Sequence, residues 1–93
     1  MEEILPNTKD FEDALDFIFR FKTISEHADY VEIQSGDLHK ILGGYPNNGN
    51  HRMAACCSAM RNKMNDKDLI LNESNSGKST KLLIRYYLPR SEF

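Results

Sequence analysis

The first apolar pattern along the chain predicts a helix that starts at Asn7 or Thr8 and reaches about residue 22. Asn and Thr are both favourable N-cap residues, and acidic residues follow in the first turn, where the helix dipole favours them. Apolar side chains then recur at intervals of three and four, on one stripe: Phe11, Ala14, Leu15, Ile18 and Phe21. Phe17 and Phe19 fall beside this stripe, so we expect the helix to contact something besides its own core.

A short alternating pattern over residues 30–34 is rich in β-branched and aromatic residues and predicts a strand. Ser35 is expected to cap a two-turn helix that ends before Gly43. Residues 43–50 combine glycines and asparagines around a proline, which predicts a loop.

A third helix is predicted over residues 51–64, with Asn50 as its cap. One face carries sulfur-containing side chains that we expect to form a soft core: Met53, Cys56, Cys57, Met60 and Met64. The opposite face is predicted to consist of His51, Ala55, Ser58 and Asn62, flanked by Arg52, Ala59, Arg61 and Lys63. The small residues of this face should leave the helix backbone approachable.

Two strands are predicted over residues 68–72 and 81–88, joined by a loop at 73–80. In the last strand, one face should enter the core and the other should be basic and aromatic. The core face is Leu82, Ile84, Tyr86 and Leu88, and the other is Lys81, Leu83, Arg85 and Tyr87. The predicted class is therefore α+β, in a single small domain over residues 1–93 with its core at about 8–88.

This order, helix-strand-helix-helix-strand-loop-strand, resembles that of the winged helix-turn-helix family over about residues 8–88. The resemblance implies that helix 51–64 is the recognition helix and that loop 73–80 is the wing. About eight residues separate the second and third helices, where three or four are common in this motif. Short stretches also resemble those of small uncharacterised prokaryotic and phage proteins, at 42–46, 50–53, 76–78 and 84–89.

The composition agrees with one compact domain. The chain has 93 residues, of which 40% are hydrophobic and 28% charged, and this size excludes a two-domain enzyme. The longest apolar run, 53–57, is far shorter than the ~18–20 residues of a membrane span. The acidic N-terminus lacks the layout of a signal peptide, so we expect a cytoplasmic protein that does not enter a membrane.

The formal net charge of −2 conceals a strong division along the chain. Residues 1–37 contain ten acids and three bases, a net charge of −7. Residues 38–93 contain four acids and nine bases, a net charge of +5. Such asymmetry between the two parts of a chain indicates a nucleic-acid partner.

Double-stranded DNA is the partner that the basic residues favour. Their predicted DNA-contacting set is His51, Arg52, Ala55, Ser58, Asn62, Lys63, Lys78 and Lys81. Arg and Asn can pair bidentately with bases in the major groove, while Lys and Ser mostly bind phosphates. Ala55 and Ala59 would let the helix seat deeply. We expect a homodimer through Phe17 and Phe19, because a single module of this size makes few phosphate contacts.

A protein-binding inhibitor of a host nuclease or defence complex, of the kind encoded by phages, is the alternative. Its working surface would be acidic and would imitate phosphates: Glu2, Glu3, Asp10, Glu12, Asp13 and Asp16. These same acids could equally be a solvated face.

Catalytic and metal-binding patterns are weak, so we predict neither an enzyme nor a cofactor or metal site. The segment 76–80 resembles the end of a phosphate-binding loop, but Asn72 stands where that loop needs its first glycine. Cys56 and Cys57 point about 100° apart on a helix and lack the spacing of zinc ligands. Their position on the apolar face predicts buried, reduced thiols.

Overall fold

The computed structural model describes residues 7–42, 53–73 and 80–90. In chain order the elements within these ranges are α1 (Thr8–Ser25), β1 (Tyr30–Gln34), α2 (Ser35–Ile41), α3 (Met53–Asn62), β2 (Leu69–Asn72) and β3 (Leu83–Tyr87). The three strands form an antiparallel sheet in the order β1-β3-β2. The predicted α+β class is confirmed.

α1 begins where the sequence predicts, with Asn7 as its N-cap. Asn7 and Asp10 form a capping box, in which each side chain accepts a hydrogen bond from the other residue's backbone N–H, at 3.0 and 2.9 Å. The helix runs to Ser25, three residues beyond the predicted end. It ends before His27, whose φ of 53° lies in the left-handed region that terminates many helices.

The buried face of α1 differs from the predicted stripe. Phe11, Leu15 and Phe19 are fully buried, whereas Phe21 is 47% exposed. The Phe19 ring lies 4.8 Å from the ring of Tyr86 on β3. The prediction that Phe19 lies outside the core is therefore wrong, because α1 packs against both α3 and the sheet.

α2 does not use Ser35 as its cap, contrary to prediction. Gln34 occupies the cap position, and no side-chain capping hydrogen bond is present there. Instead, the first backbone N–H groups of the helix donate hydrogen bonds to carbonyls of the segment that precedes β3. Ser35 N–H donates to the Leu82 carbonyl at 2.8 Å, and Gly36 N–H donates to the Thr80 carbonyl at 3.0 Å. A Cβ at Gly36 would lie 3.1 Å from the Thr80 carbonyl oxygen, so a larger residue there would push the Thr80 backbone away by a few tenths of an ångström.

The central strand β3 joins the sheet to the helices. Ile84 stands opposite Ile33 of β1 and Ile70 of β2. Its neighbours on the same face, Leu82 and Tyr86, are fully buried like Ile84 itself. The predicted core face of the last strand is confirmed.

The core lies between the helices and one face of the sheet. Its members are Phe11, Leu15, Phe19, Ile33, Leu38, Met53, Cys56, Cys57, Ala59, Met60, Leu82, Ile84 and Tyr86. The helices that contribute to it also have polar faces. Across the described ranges, no helix combines the length and the apolar character needed to cross a bilayer.

A buried ion pair closes the structure where β3 ends. Arg90 Nη1 donates to both carboxylate oxygens of Asp68 at 2.9 and 2.8 Å, and neither side chain is exposed. The Asp68 carboxylate also accepts the backbone N–H groups of Asn65 and Tyr87, and Arg90 donates to the Lys63 carbonyl. This network ties the chain after β3 to the end of α3 and the start of β2.

Candidate nucleic-acid interface

α3 has one buried face and one exposed stripe. The buried, sulfur-containing residues are Met53, Cys56, Cys57 and Met60, as predicted. Ala54, Ser58 and Arg61 are exposed and follow one another at intervals of four and three, so they share one side of the helix. We call these three residues the α3 stripe.

The predicted exposed face of α3 is rotated relative to the observed one. Ala59 is fully buried, and Ala55 is half-buried against the core. The expectation that these two alanines leave the backbone approachable is wrong. Asn62 and Lys63, three and four residues after Ala59 on the same side of the helix, contact α1. The open side is turned by about 60° towards Ala54 and Arg61, given 100° per residue.

Asn62 and Lys63, both predicted to contact DNA, are directed towards α1. Asn62 Nδ2 donates to Glu12 Oε2 at 3.0 Å. Lys63 Nζ lies 2.8 Å from Asp16 Oδ1, and only 19% of its side chain is exposed. These contacts fix the C-terminal end of α3 against α1.

Arg61 links α3 to the β-hairpin that β2 and β3 form. The sequence pattern places this residue only at the flank of the predicted face. Its Nη2 lies 2.8 Å from Glu73 Oε1, just after the end of β2. Both side chains remain accessible, at 38% and 59% exposed. Arg61 is exposed because the burial of Ala59 turns the open side of α3 towards it. No local sequence pattern predicts that burial.

Lys81 is a second exposed cation, and it lies across from Asn72, the residue before Glu73. The Lys81 carbonyl accepts a hydrogen bond from Asn72 Nδ2 at 2.8 Å across the two strands. Ser58, Asn62 and Lys81 are thus predicted site residues that do lie at the surface, although the Asn62 side chain is bonded to Glu12. His51, Arg52 and Lys78 lie outside the described residues, as do the centre of the predicted wing and the predicted cap Asn50.

The acids of α1 have partners within the molecule. Asp10 belongs to the capping box, Glu12 accepts from Asn62, and Asp16 pairs with Lys63. Asp13 pairs with Lys9 at 3.0 Å in an exposed, i,i+4 arrangement. Glu2 and Glu3 lie outside the described residues.

The outer face of the sheet is basic and aromatic, as predicted, but its arginine is already paired. Arg85 Nε and Nη2 lie 2.8 and 2.7 Å from Glu32 Oε2. The same guanidinium sits 4.8 Å from the centre of the Tyr30 ring. Arg85 therefore has two partners within the sheet, the Glu32 carboxylate and the Tyr30 ring.

Neither thiol is suited to nucleophilic chemistry. Cys56 and Cys57 are free and buried, as predicted. Burial raises the pKa of Cys56 to about 12 and also raises the pKa of Cys57. Within the described ranges, no cluster of three or more His, Cys, Asp or Glu side chains could hold a metal ion.

Comparison of the chain with known proteins finds no matching family model, no matching curated protein and no matching solved structure.

Proposed function

We propose that the chain is a winged-helix DNA-binding protein, a regulator of the kind carried by phages and mobile elements. α3 acts as the recognition helix, and the segment between β2 and β3 as the wing. The α3 stripe is the observation that carries the proposal. A helix fits the B-DNA major groove, which is about 12 Å wide, and small outward side chains such as Ala54 and Ser58 let it approach the base edges.

Arg61 is the cation best placed to act beside those small residues. A guanidinium can bind guanine bidentately or hold a phosphate. Its present partner, Glu73, is exposed, and surface ion pairs contribute only about 0–1 kcal/mol. A phosphate can therefore displace the Glu73 carboxylate at little cost.

The arrangement of the elements supports the same proposal. α2 packs against α3, which leaves the α3 stripe on the outside. The Arg61–Glu73 contact holds the start of the hairpin loop beside the stripe. Helix and hairpin can then contact one duplex together, the helix in a groove and the hairpin along the backbone.

The charge distribution also supports DNA as the partner. The negative first part of the chain uses several of its acids in contacts that hold α1 and α3 together. The second part, residues 38–93, carries the net charge of +5 and includes both α3 and the hairpin. Binding to phosphates by these cations would release counterions and depend strongly on salt.

The alternative, an inhibitor that imitates phosphates with the acids of α1, receives less support. Glu12 contacts Asn62 of α3, Asp16 pairs with Lys63 just after α3, and Asp10 caps its own helix. Those interactions give the acids a role in the fold that needs no protein partner.

Replacing Arg61 by Ala tests the proposal. We expect the affinity for a labelled mixed-sequence duplex to fall at least about 10-fold, and the slope of log affinity against log salt to become shallower by about one. Fluorescence anisotropy between 50 and 200 mM salt measures both quantities. Lys67→Ala is the control of equal charge, because Lys67 is exposed at the opposite end of β2 from Glu73.

Two outcomes contradict the proposal. One is a wild-type protein that binds no duplex at 50 mM salt. The other is an equal loss of affinity in Arg61→Ala and Lys67→Ala, which would assign the effect to net charge alone.

A further inference from the structure

A buried arginine joins the two ends of the connection between α3 and β2, residues 63–68. The Arg90 guanidinium donates to the carbonyl of Lys63, the first residue of this connection, and to both carboxylate oxygens of Asp68, the last. Neither the Arg90 nor the Asp68 side chain is exposed. Because the last carbonyls of a helix lack partners within it, a cation that binds there stabilises the helix end. Arg90 thus links the end of the helix to the start of the strand.

β3 holds the last turn of α3 at a second point. The Tyr86 hydroxyl donates to the Met60 carbonyl at 2.8 Å, and the Arg90 guanidinium lies 5.5 Å from the centre of the Tyr86 ring. Met60 and Lys63 are three residues apart and therefore share one side of the helix. Two points of attachment fix the direction of α3 against the sheet, whereas one would act as a pivot. α1 also contacts this end of α3, but through side chains that are partly exposed.

We propose that Arg90 acts as a clamp, which sets the angle between α3 and β2 and thereby holds Arg61 against Glu73. Arg61 lies in the last turn of α3, and Glu73 directly follows β2. Glu73 lies about 16 Å from Asp68 along an extended strand, so a rotation of about 10° at the connection would move it by about 3 Å. A displacement of this size would break the 2.8 Å contact between Arg61 and Glu73.

Heteronuclear NMR of the arginine side chains of the full chain, with no DNA present, tests the inference. The Arg61 Nε–H resonance, assigned by its absence in Arg61→Ala, should move when Glu73→Gln removes the carboxylate partner. Arg90→Lys keeps the charge beside Asp68 but has no second nitrogen to donate to the Lys63 carbonyl. We therefore expect Arg90→Lys to move the Arg61 resonance by at least about half as much as Glu73→Gln does.

Ile84→Val is the control, because it shortens a fully buried side chain of β3 that does not belong to the clamp. It should lower stability and leave the Arg61 resonance in place. An unchanged resonance in Arg90→Lys overturns the inference, as does an equal movement in Ile84→Val. If Arg90→Lys does not fold, Asp68→Asn combined with Arg90→Met leaves no buried charge unpaired and should move the resonance in the same way. An unchanged resonance in that double variant is equally decisive.

The consequence of the clamp for duplex binding rests on the proposed function, and a second experiment measures it. In the wild-type background, Glu73→Gln removes a competitor of phosphate for Arg61 and should raise duplex affinity by about 2- to 5-fold. In the Arg90→Lys background the competitor is already displaced, so the same substitution should change affinity by less than about 1.5-fold. An equal gain in both backgrounds contradicts the clamp. A wild-type protein that binds no duplex contradicts the proposed function instead, and the NMR result then decides on the clamp.

Discussion

Two arginine–carboxylate pairs in this molecule have similar contact distances and opposite environments. Arg90 and Asp68 lie 2.8 Å apart with no exposure of either side chain. Arg61 and Glu73 also lie 2.8 Å apart, but both are open to solvent. The pairs differ in what surrounds them and therefore in what removing one partner costs.

The buried pair is part of the architecture. Asp68 receives two backbone N–H groups besides Arg90, and the Arg90 guanidinium lies 4.8 Å from the ring centre of Phe19. Loss of one partner would leave a desolvated charge, which is far more costly than the loss of a solvated contact. The exposed pair can instead exchange partners, and this property suits Arg61 to binding an external anion.

The largest effect that this comparison predicts is on folding. Arg90→Ala should lower the free energy of unfolding by about 3–5 kcal/mol, because Asp68 would stay buried without its cation. Urea denaturation measures the loss. Arg61→Ala is the matched substitution and should cost less than about 1 kcal/mol.

If Arg90→Ala does not fold, Arg90→Lys provides the second measurement. Lysine keeps the charge but has no second nitrogen to donate to the Lys63 carbonyl as Arg90 Nη2 does, so we expect a loss of stability between zero and that of the alanine variant. Equal stabilities of Arg90→Ala and Arg61→Ala would show that the distinction between the two pairs is wrong.

The smallest effect concerns the partner of Arg61. Glu73→Gln removes the internal competitor for the guanidinium, and we expect duplex affinity to rise by about 2- to 5-fold. Glu26→Gln is the matched control, because it removes an exposed carboxylate that pairs with Lys22 at 3.1 Å. The difference between the two variants in fluorescence anisotropy is the measurement, and a gain shared by both would reflect net charge only.

The features that the sequence predicts correctly are those determined by neighbouring residues. The capping box at Asn7, the alternation along β3 and the sulfur face of α3 each follow from spacing within a few turns or one strand. The strand at 30–34 is found with the predicted bounds for the same reason.

The errors arise where a distant element covers a surface. Ala59 is buried on the side of α3 where Asn62 and Lys63 contact α1, and the rotation of the exposed face of α3 follows from that packing. Phe19 enters the core because Tyr86 is beside it, 67 positions later in the chain. The pairing of Asp68 with Arg90 across 22 positions likewise has no local signal, since both residues have the composition of surface positions.

The candidate site was predicted only in part for this reason. Ser58, Asn62 and Lys81 lie at the surface as expected, but Asn62 and Lys63 contact α1. Arg61 joins the candidate site through its ion pair with Glu73, which follows β2 and is 12 positions away in the sequence.

Ser58→Glu tests most directly the proposal that the exposed stripe of α3 enters a DNA groove. A carboxylate at this position would face phosphates and bases, so duplex affinity at 50 mM salt should fall at least about 10-fold. Ser25→Glu adds the same charge at the exposed end of α1 and should change affinity by less than about 3-fold. Equal affinities of the two variants would contradict the account.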